Sequence, residues 1–274
     1  MSKILVLGSS GFIGSELKKN IFFSSHDVVY SDIILNDSNT KFIDILDFEM
    51  LSKEVDKFEI IINLTGQISD PIDNCLKINT EGTFNIIKAI KSSKKKIRLI
   101  HLSSVVVYGN FKGPDENSIT IPDTSYGLCK YFAENLIKEH LKDFTILRLS
   151  NLYGENCQKG IINYLKKSFL NSEKIYLNTD INLKRDFIYI EDFLKVLMFF
   201  LEKSTHKIYN VGSGYSFSVN DLISNIQKIN KRQLKFNFTK GKTYNQIEYL
   251  DSSRLKKENL NIEFKNVFDF LKFN

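Results

Sequence analysis

The sequence predicts an α/β fold, with a doubly wound parallel sheet and a smaller C-terminal α/β lobe. Over the first 150 residues, apolar runs such as KILVLG, EIIINLTG and IRLIHLSS alternate with helical patterns. These runs are rich in Val, Ile and Leu without polar alternation, which is typical of parallel strands covered on both faces. A glycine-rich turn follows the first run. Together these observations indicate repeated βαβ units.

The elements follow in order from the same patterns. KILVLG leads into a helix predicted over 12–23, and DVVYSD and EIIINLTG are the next strands. A long helical segment near 71–91, the strand IRLIHLSS, a helix over 126–141 and the strand FTILRLS come next. Beyond residue 150 the alternation loosens into helices over 161–170, 192–201 and from 219, with short strands around 175 and 187 and in KIYNVGS.

Composition narrows the class of protein. Of 274 residues, 42% are hydrophobic and 26% charged, which is typical of a globular chain. We expect a cytoplasmic protein without a membrane partner, because no signal-peptide region and no run of about 18 apolar residues is present. The net charge of +6 is spread along the chain, so we expect no nucleic-acid partner. Cys75, Cys129 and Cys157 are widely spaced, which predicts free thiols and no metal site.

Three glycines mark the entrance of the first helix. Gly8, Gly11 and Gly14 are spaced three apart after an apolar strand, and Asp32 follows 18 residues after Gly14. Glycines there allow a close backbone approach, with free N–H groups and the helix N-terminus facing a pyrophosphate. A carboxylate at the end of the second strand accepts hydrogen bonds from a ribose and repels a 2′-phosphate. The pattern predicts a Rossmann-type fold with NAD rather than NADP; the alternative is a structural turn with an unrelated acid, and Asp37 lies nearby.

This motif gives a domain prediction. We expect residues 1–155 to form a dinucleotide-binding domain, with part of 184–212 returning to it. We expect 156–274 to form mainly a substrate-binding lobe.

A second set of residues lies at the carboxyl edge of the predicted sheet. Ser103 and Ser104 end the strand IRLIHLSS, where open α/β proteins bind ligands. Tyr126 and Lys130 are four apart on a predicted helix, so they rise about 6 Å and point the same way. Lowering a phenol pKa from about 10 to about 7 needs roughly 4 kcal/mol, which a nearby ammonium and the helix N-terminus favour. The alternative is an ordinary amphipathic segment.

The combined motifs resemble the extended short-chain dehydrogenase/reductase family, in its NAD-dependent nucleotide-sugar epimerase and dehydratase branch. The matching features are the glycine trio, the strand-end serines with VYG, and Tyr126 with Lys130. RLSNLYG, KRDFIYIEDF and YNVGSG follow in the order that this branch shows. The resemblance covers nearly the whole chain.

The resemblance implies catalytic roles for three residues. Tyr126 would exchange a proton with the sugar oxygen, Lys130 would lower the pKa of that phenol and bind the nicotinamide ribose, and Ser104 would bind the reacting oxygen. It also implies a cofactor-binding role for a second set of residues, which match cofactor-binding positions of the family: Phe12, Ile13, Asp44, Ile45 and Asn79.

Asn151 and Arg185 match positions that meet the substrate diphosphate, for which a guanidinium fork is suited. The alternatives for these two are a turn residue and a surface ion pair. Asp186 and Asp192 fit structural roles better than catalytic ones.

Departures from the family pattern narrow the reaction. Val105 and Val106 occupy positions where dehydratases carry an acidic pair, and valines cannot transfer the protons that elimination of water needs. The segment after the fourth strand is short, and Ile68 replaces a lysine that contacts the cofactor in some epimerases. We therefore expect a nucleotide-diphosphate sugar substrate and oxidoreduction at C4, of the 4-ketoreductase or dehydrogenase type, for surface polysaccharide synthesis. The alternatives are a 4-epimerase of the UDP-glucose type and a non-catalytic NAD-binding regulator.

The resemblance also implies a homodimer, formed through helices of the dinucleotide domain. The segments 80–91 and 130–141 carry apolar residues on more than one face. Burial within one chain explains the same pattern equally well.

Overall fold

The computed structural model describes residues 2–20, 26–68, 71–239, 247–260 and 262–273. The strands in these ranges are β1 (Lys3–Leu7), β2 (Asp27–Asp32), β3 (Thr40–Phe42), β4 (Ile60–Asn63), β5 (Arg98–Ser104), β6 (Phe144–Leu149), β7 (Asn151–Tyr153), β8 (Ile175–Asn178), β9 (Lys184–Tyr189), β10 (Lys207–Val211), β11 (Ser216–Ser218) and β12 (Phe236–Thr239).

The helices are α1 (Phe12–Lys19), α2 (Phe48–Val55), α3 (Ile72–Leu76), α4 (Thr83–Ser92), α5 (Ser125–His140), α6 (Ile161–Leu170), α7 (Ile190–Glu202), α8 (Val219–Ile229), α9 (Ser253–Lys256) and α10 (Val267–Phe270). A π-helical turn, Lys77–Gly82, joins α3 to α4, and a 3₁₀ turn, Val105–Tyr108, follows β5. Within the described ranges, no helix combines the length and the apolar character that crossing a bilayer requires.

Seven strands form the main sheet in the order β10-β6-β5-β4-β1-β2-β3. Every neighbouring pair is parallel. The strand order reverses between β1 and β4, and ligands of such sheets bind outside the carboxyl ends of the strands at this point. The predicted Rossmann-type, doubly wound parallel sheet is confirmed.

Alternate residues of the interior strand β1 pack into two separate cores, one on each face of the sheet. Ile4 and Val6 belong to the larger core, whereas Leu5 and Leu7 belong to the other. Side chains of a strand point alternately to opposite faces, so a strand covered on both sides must be apolar at every position. This burial explains why KILVLG shows no polar alternation.

The rest of the chain adds two small sheets. β9 lies between β7, which runs parallel to it, and β11, which runs antiparallel. β8 pairs with β12. β10, from the 184–212 segment, lies instead at the edge of the main sheet beside β6. The division of the chain near residue 155 stays a prediction.

The helical segment predicted near 71–91 is not one regular helix. It comprises α3, the π-helical turn and α4. Gly82 ends the π-helical turn so close to the 42–47 segment that a Cβ there would lie 2.3 Å from Ile45 Cδ1. The helix predicted over 12–23 ends as α1 at Lys19, and residues 21–25 lie outside the described residues. The helix predicted over 126–141 is α5, displaced by one residue at each end.

Candidate active site

The glycine turn between β1 and α1 requires two of its three glycines on steric grounds. Gly8 has a φ of +83°, and a Cβ there would lie 2.8 Å from the backbone nitrogen of Thr65. A Cβ on Gly14 would lie 2.4 Å from the Cα of Ser9. Gly11 is the N-cap residue of α1, with no side chain to cover the first N–H groups of the helix. The turn therefore presents bare backbone at a helix N-terminus, which fits a pyrophosphate.

Asp32 lies beside this turn at the end of β2. One carboxylate oxygen accepts a hydrogen bond from the Ser10 N–H at 2.9 Å, and the other accepts one from the Ile34 N–H at 3.0 Å. Each carboxylate oxygen has a further lone pair that can accept a hydroxyl. The side chain is partly exposed. This arrangement fits a dinucleotide whose ribose hydroxyls lie next to the glycine turn.

The other residues predicted to bind the cofactor flank the same edge of the sheet. Phe12 and Ile13 begin α1 and pack partly against the larger core. Asp44 and Ile45 follow β3; the Asp44 carboxylate accepts the Leu46 N–H at 2.8 Å, and Ile45 is buried. Asp44 is partly exposed and remains accessible to a ligand.

Tyr126, Ser104 and Lys130 come together at the carboxyl end of β5. Thr124 caps α5, because its hydroxyl accepts the Gly127 N–H at 3.1 Å, and Tyr126 lies in the first turn. The Ser104 hydroxyl lies close enough to the Tyr126 phenol to lower its pKa. The Lys130 ammonium lies 5.9 Å from the centre of the Tyr126 ring. The helical spacing predicted for Tyr126 and Lys130 is present.

Burial governs the proton affinities of this pair. It raises the pKa of Tyr126 above its usual value; Cys75 acts in the same direction, and the nearby Ser104 hydroxyl opposes it. The lowering expected from Lys130 is therefore not seen in this structure. The ammonium is instead directed at backbone oxygens, 2.9 Å from Leu102 O and 3.4 Å from Thr65 O. Burial lowers the pKa of Lys130 to about 8.

Asn79 lies in the π-helical turn, where π-helical bulges are frequent at functional sites. Its amide donates to Gln67 O at 2.9 Å and to Cys75 O at 2.8 Å, so it holds the backbone that follows β4. Its buried Oδ1 has no hydrogen-bond partner among the described residues. A Cβ on Gly66 would lie 3.2 Å from that oxygen and 3.4 Å from Lys130 Nζ, so Asn79 and Lys130 border the same small space.

Asn151 and Arg185 lie in the three-stranded sheet. Asn151 is opposite Phe187 in the β7–β9 ladder, two positions beyond Arg185, so both residues are on one face. Asn151 is exposed and donates to Asp186 O at 3.0 Å, while Arg185 is half-buried. Burial lowers the pKa of Arg185.

Asp186 and Asp192 make structural contacts. The Asp186 carboxylate is buried and accepts N–H groups of Ser213 and Gly214 at 2.9 and 3.0 Å. Asp192 accepts the Lys265 N–H at 2.7 Å.

The three cysteines are free, and Cys75 and Cys129 are buried beside the site. Burial raises the pKa of Cys129 to about 11.

Sequence reasoning did not identify the buried charges behind the site. Glu134 follows Lys130 by four residues on α5 and is fully buried with Arg148 of β6. His101 of β5 is also fully buried, with Nδ1 3.1 Å from Asn63 Nδ2. Burial, with Lys130 nearby, lowers its pKa well below the usual range. An Arg inside the apolar run FTILRLS was the available signal, because a charge in a buried strand requires a partner.

Comparison with known proteins decides the family. The model of the NAD dependent epimerase/dehydratase family matches residues 4–212. The chain belongs to this family. It is 30% identical over 249 residues to the Methanocaldococcus jannaschii protein named "Putative UDP-glucose 4-epimerase", covering 82% of this chain and 81% of that protein. It is 35% identical over 141 residues to the Escherichia coli dTDP-4-dehydro-6-deoxyglucose reductase, covering 47% of this chain and 45% of the reductase.

Among solved structures, the Bacillus cereus UDP-glucuronic acid 4-epimerase in complex with UDP-glucuronic acid and NAD is 25% identical to the chain. It matches with a TM-score of 0.86 over 98% of this chain and 96% of that one. Membership of the epimerase/dehydratase family confirms the predictions of an enzyme of this kind and of NAD as its cofactor. The roles of individual residues stay predictions.

Proposed function

We propose that this family member catalyses NAD-dependent oxidoreduction at C4 of a nucleotide-diphosphate sugar, with 4-epimerisation as the net reaction. The observation that supports it most directly is the contact between the Tyr126 phenol and the Ser104 hydroxyl. These groups lie in the first turn of α5 and at the end of β5, at the sheet edge that also holds the glycine turn. A sugar hydroxyl that replaces this contact would meet a proton-transfer group and a hydrogen-bond donor together.

The cofactor would be held by residues already described at that edge. Gly8, Gly11 and Gly14 would meet the pyrophosphate, Asp32 the adenosine ribose, and Asp44 with Ile45 the adenine; Phe12, Ile13 and Asn79 would support these contacts. When bound, NAD supplies the hydride acceptor and, in its oxidised form, a positive charge. The bare backbone at the N-terminus of α1 supports this assignment, because Gly8 and Gly14 pack too closely against Thr65 and Ser9 to carry a side chain.

Tyr126 would exchange the proton of the sugar oxygen. With its pKa raised by burial, Tyr126 is a neutral phenol, ready to donate its proton to a carbonyl oxygen. In the oxidative direction it would accept the proton, which requires stabilisation of the phenolate. Lys130 would provide part of that stabilisation and hold the nicotinamide ribose, while Ser104 would orient the reacting oxygen.

The substrate diphosphate would lie near Asn151 and Arg185. Their common face on the small sheet supports this role, and a half-buried guanidinium can bind phosphate oxygens with two parallel hydrogen bonds. Burial lowers the pKa of Arg185, and a bound anion would favour the charged form of its guanidinium.

Two observations favour epimerisation over the reductase reaction that the loop lengths predict. The M. jannaschii relative and the B. cereus structure, both named 4-epimerases, match more than four-fifths of this chain, whereas the reductase matches 47%. The 4-ketoreductase stays the second candidate, because the reductase has the highest identity of the three, at 35%. Either product would be a precursor for surface polysaccharide synthesis. Elimination of water is not proposed, because Val105 and Val106 follow Ser104 directly.

One experiment tests both candidates. The purified protein is assayed for retained NAD and then incubated with UDP-glucose, with UDP-glucuronic acid, and with a 4-keto nucleotide sugar plus NADH. Interconversion of the 4-hydroxy sugars without net consumption of NADH supports the epimerase. Stoichiometric consumption of NADH supports the reductase, and no reaction in either assay overturns the proposal.

A matched pair of variants tests the mechanism. Tyr126→Phe should lower kcat by about 10²-fold or more while NAD binding is retained, since general acid–base groups contribute about 10²–10⁴-fold. Tyr131→Phe removes a hydroxyl from the same helix and should leave kcat unchanged. Wild-type turnover by Tyr126→Phe would exclude Tyr126 as the proton-transfer group.

We further propose that the chain forms a homodimer through an exposed apolar surface of α4 and α5. Phe84 of α4 and Leu128 and Phe132 of α5 are 41%, 54% and 53% exposed. Burial within one chain, the alternative explanation, does not cover these three side chains.

A further inference from the structure

The catalytic helix contacts the end of β5 at two points. The Lys130 ammonium donates to Leu102 O at 2.9 Å, and one turn later the Glu134 carboxylate accepts a hydrogen bond from Ser103 Oγ at 2.5 Å. Ser103 directly precedes Ser104 at the strand end. Both contacts therefore hold α5, with Tyr126 in its first turn, against the strand that presents Ser104.

Glu134 is itself held by a guanidinium. Arg148 Nε lies 2.9 Å from Oε1, and Arg148 Nη2 lies 2.6 Å from Oε2. Neither side chain is more than 3% exposed. The pair therefore has a two-pronged geometry, with hydrogen bonds to both carboxylate oxygens, which fixes the position of the Glu134 side chain.

The polar contacts continue beyond Arg148. Its guanidinium lies 4.6 Å from the centre of the Tyr108 ring, and the Tyr108 hydroxyl donates to Asn210 Oδ1 at 2.7 Å. The Asn210 amide in turn donates to Pro114 O at 2.9 Å and to Asp251 O at 3.0 Å. A buried chain of polar groups thus connects α5 with β6, β10 and the segments around residues 114 and 251.

Stability alone does not explain an ion pair at this position. Apolar side chains of similar volume often give equal or greater stability than a buried pair, because desolvation of two charges offsets their attraction. Arg148 Nη1 is buried with no hydrogen-bond partner among the described residues, which adds to that penalty. The positions that the pair imposes on α5 and β5 offer a functional reason for its presence.

We propose that Glu134 is a positioning residue for the reaction: its carboxylate fixes the catalytic helix against the Ser103–Ser104 strand end. The assignment of a reaction to this site rests on the function proposed above. The contacts of Glu134 do not depend on which sugar is used.

The charge of Glu134 affects the pKa of Lys130, and a residue with a purely structural role would not change that pKa. Burial lowers the pKa of Lys130, and the Glu134 carboxylate opposes this most strongly, followed by the thiols of Cys75 on α3 and Cys129 on α5. His101 on β5 also faces Lys130, and its own pKa is lowered well below the usual range. Tyr126 lies on the same helix, with its ring centre 5.9 Å away. Removing the Glu134 charge therefore lowers the pKa of Lys130 further, and the ammonium is lost at lower pH.

The test is Glu134→Gln, which keeps a hydrogen-bonding oxygen but removes the charge. We expect kcat/KM to fall about tenfold at neutral pH, and the alkaline fall of the pH profile to begin at lower pH. Asp192→Asn is the matched control: Asp192 is a buried carboxylate with a salt bridge, on α7, and its variant should show the wild-type alkaline fall.

A second variant and a second measurement keep the test decisive. If Glu134→Gln unfolds, because Arg148 is left unpaired, the double variant Glu134→Gln/Arg148→Met removes both charges and should restore folding but not the wild-type pH profile. NADH affinity as a function of pH is measured in parallel, since Lys130 would bind the nicotinamide ribose whatever the sugar. A displaced pH dependence of NADH binding without sugar turnover supports the role of Glu134 while rejecting the proposed function. Wild-type pH dependence in a folded variant would overturn the role of Glu134.

Discussion

The Asp32 carboxylate and the Ser10 N–H lie 2.9 Å apart, and this hydrogen bond joins the end of β2 to the glycine turn. The same carboxylate accepts the Ile34 N–H, so both of its oxygens are oriented by backbone. Asp37, the other carboxylate of the segment, instead pairs with Lys18 at 2.7 Å. The two acids are therefore distinguished by their contacts, although the sequence alone offered both.

Asp32→Ala should reduce the preference for NAD over NADP. NAD affinity should fall about tenfold, because a hydrogen bond to a charged group contributes about 1.5–3 kcal/mol, and NADP affinity should rise as the repulsion of its 2′-phosphate is removed. Dissociation constants for both cofactors measure the effect. Asp37→Ala should leave the preference unchanged. Tighter binding of NADP than of NAD by the unmodified protein would contradict the role of Asp32.

Gly14→Ala should destabilise the chain, because the new Cβ would lie 2.4 Å from the backbone of Ser9 and the turn must shift. Overpacking of this kind costs about 1–3 kcal/mol of the free energy of unfolding. Gly11→Ala is the control: its Cβ would lie 3.6 Å from Gly8 O, an ordinary contact. Denaturant unfolding without cofactor compares the two variants. Equal stabilities would show that the turn can adjust to the methyl group.

Arg185→Lys should raise KM for the nucleotide sugar about tenfold with a smaller effect on kcat. An ammonium keeps the charge but loses the two-pronged hydrogen bonds to phosphate. The inhibition constant of the free nucleoside diphosphate should rise by the same factor. Lys184→Met removes an exposed neighbouring cation on the opposite face of β9 and should change neither constant. An unchanged inhibition constant in Arg185→Lys would place the diphosphate elsewhere.

Features set by local geometry were predictable from the sequence. Tyr126 and Lys130 are one helical turn apart, and the cap by Thr124 involves a residue three positions away, so both follow from the spacing in DTSYGLCK. The parallel sheet was predictable for a similar reason, since unbroken apolar runs indicate strands buried on both faces.

Features set by tertiary contacts were not predictable in the same way. The Glu134–Arg148 pair depends on how α5 packs across β6, and the π-helical turn that holds Asn79 packs through Gly82 against Ile45, 37 residues earlier in the chain. The direction of the Lys130 ammonium, toward Leu102 O, also depends on the end of a strand 28 residues earlier. The four-residue spacing predicts that Lys130 lies beside Tyr126, but it does not predict that the ammonium donates to backbone oxygens rather than to the phenol.

Phe132→Glu should convert the proposed homodimer into a monomer. Phe132 is 53% exposed on α5, and a carboxylate there would be buried against its counterpart without a partner, which strongly disfavours association. Phe42→Glu is the matched control, because Phe42 is 48% exposed on the edge strand β3, away from α4 and α5. Light scattering of both variants and of the unmodified protein measures the mass directly. A dimeric Phe132→Glu, or a monomeric unmodified protein at the same concentration, would show that this surface does not form the interface.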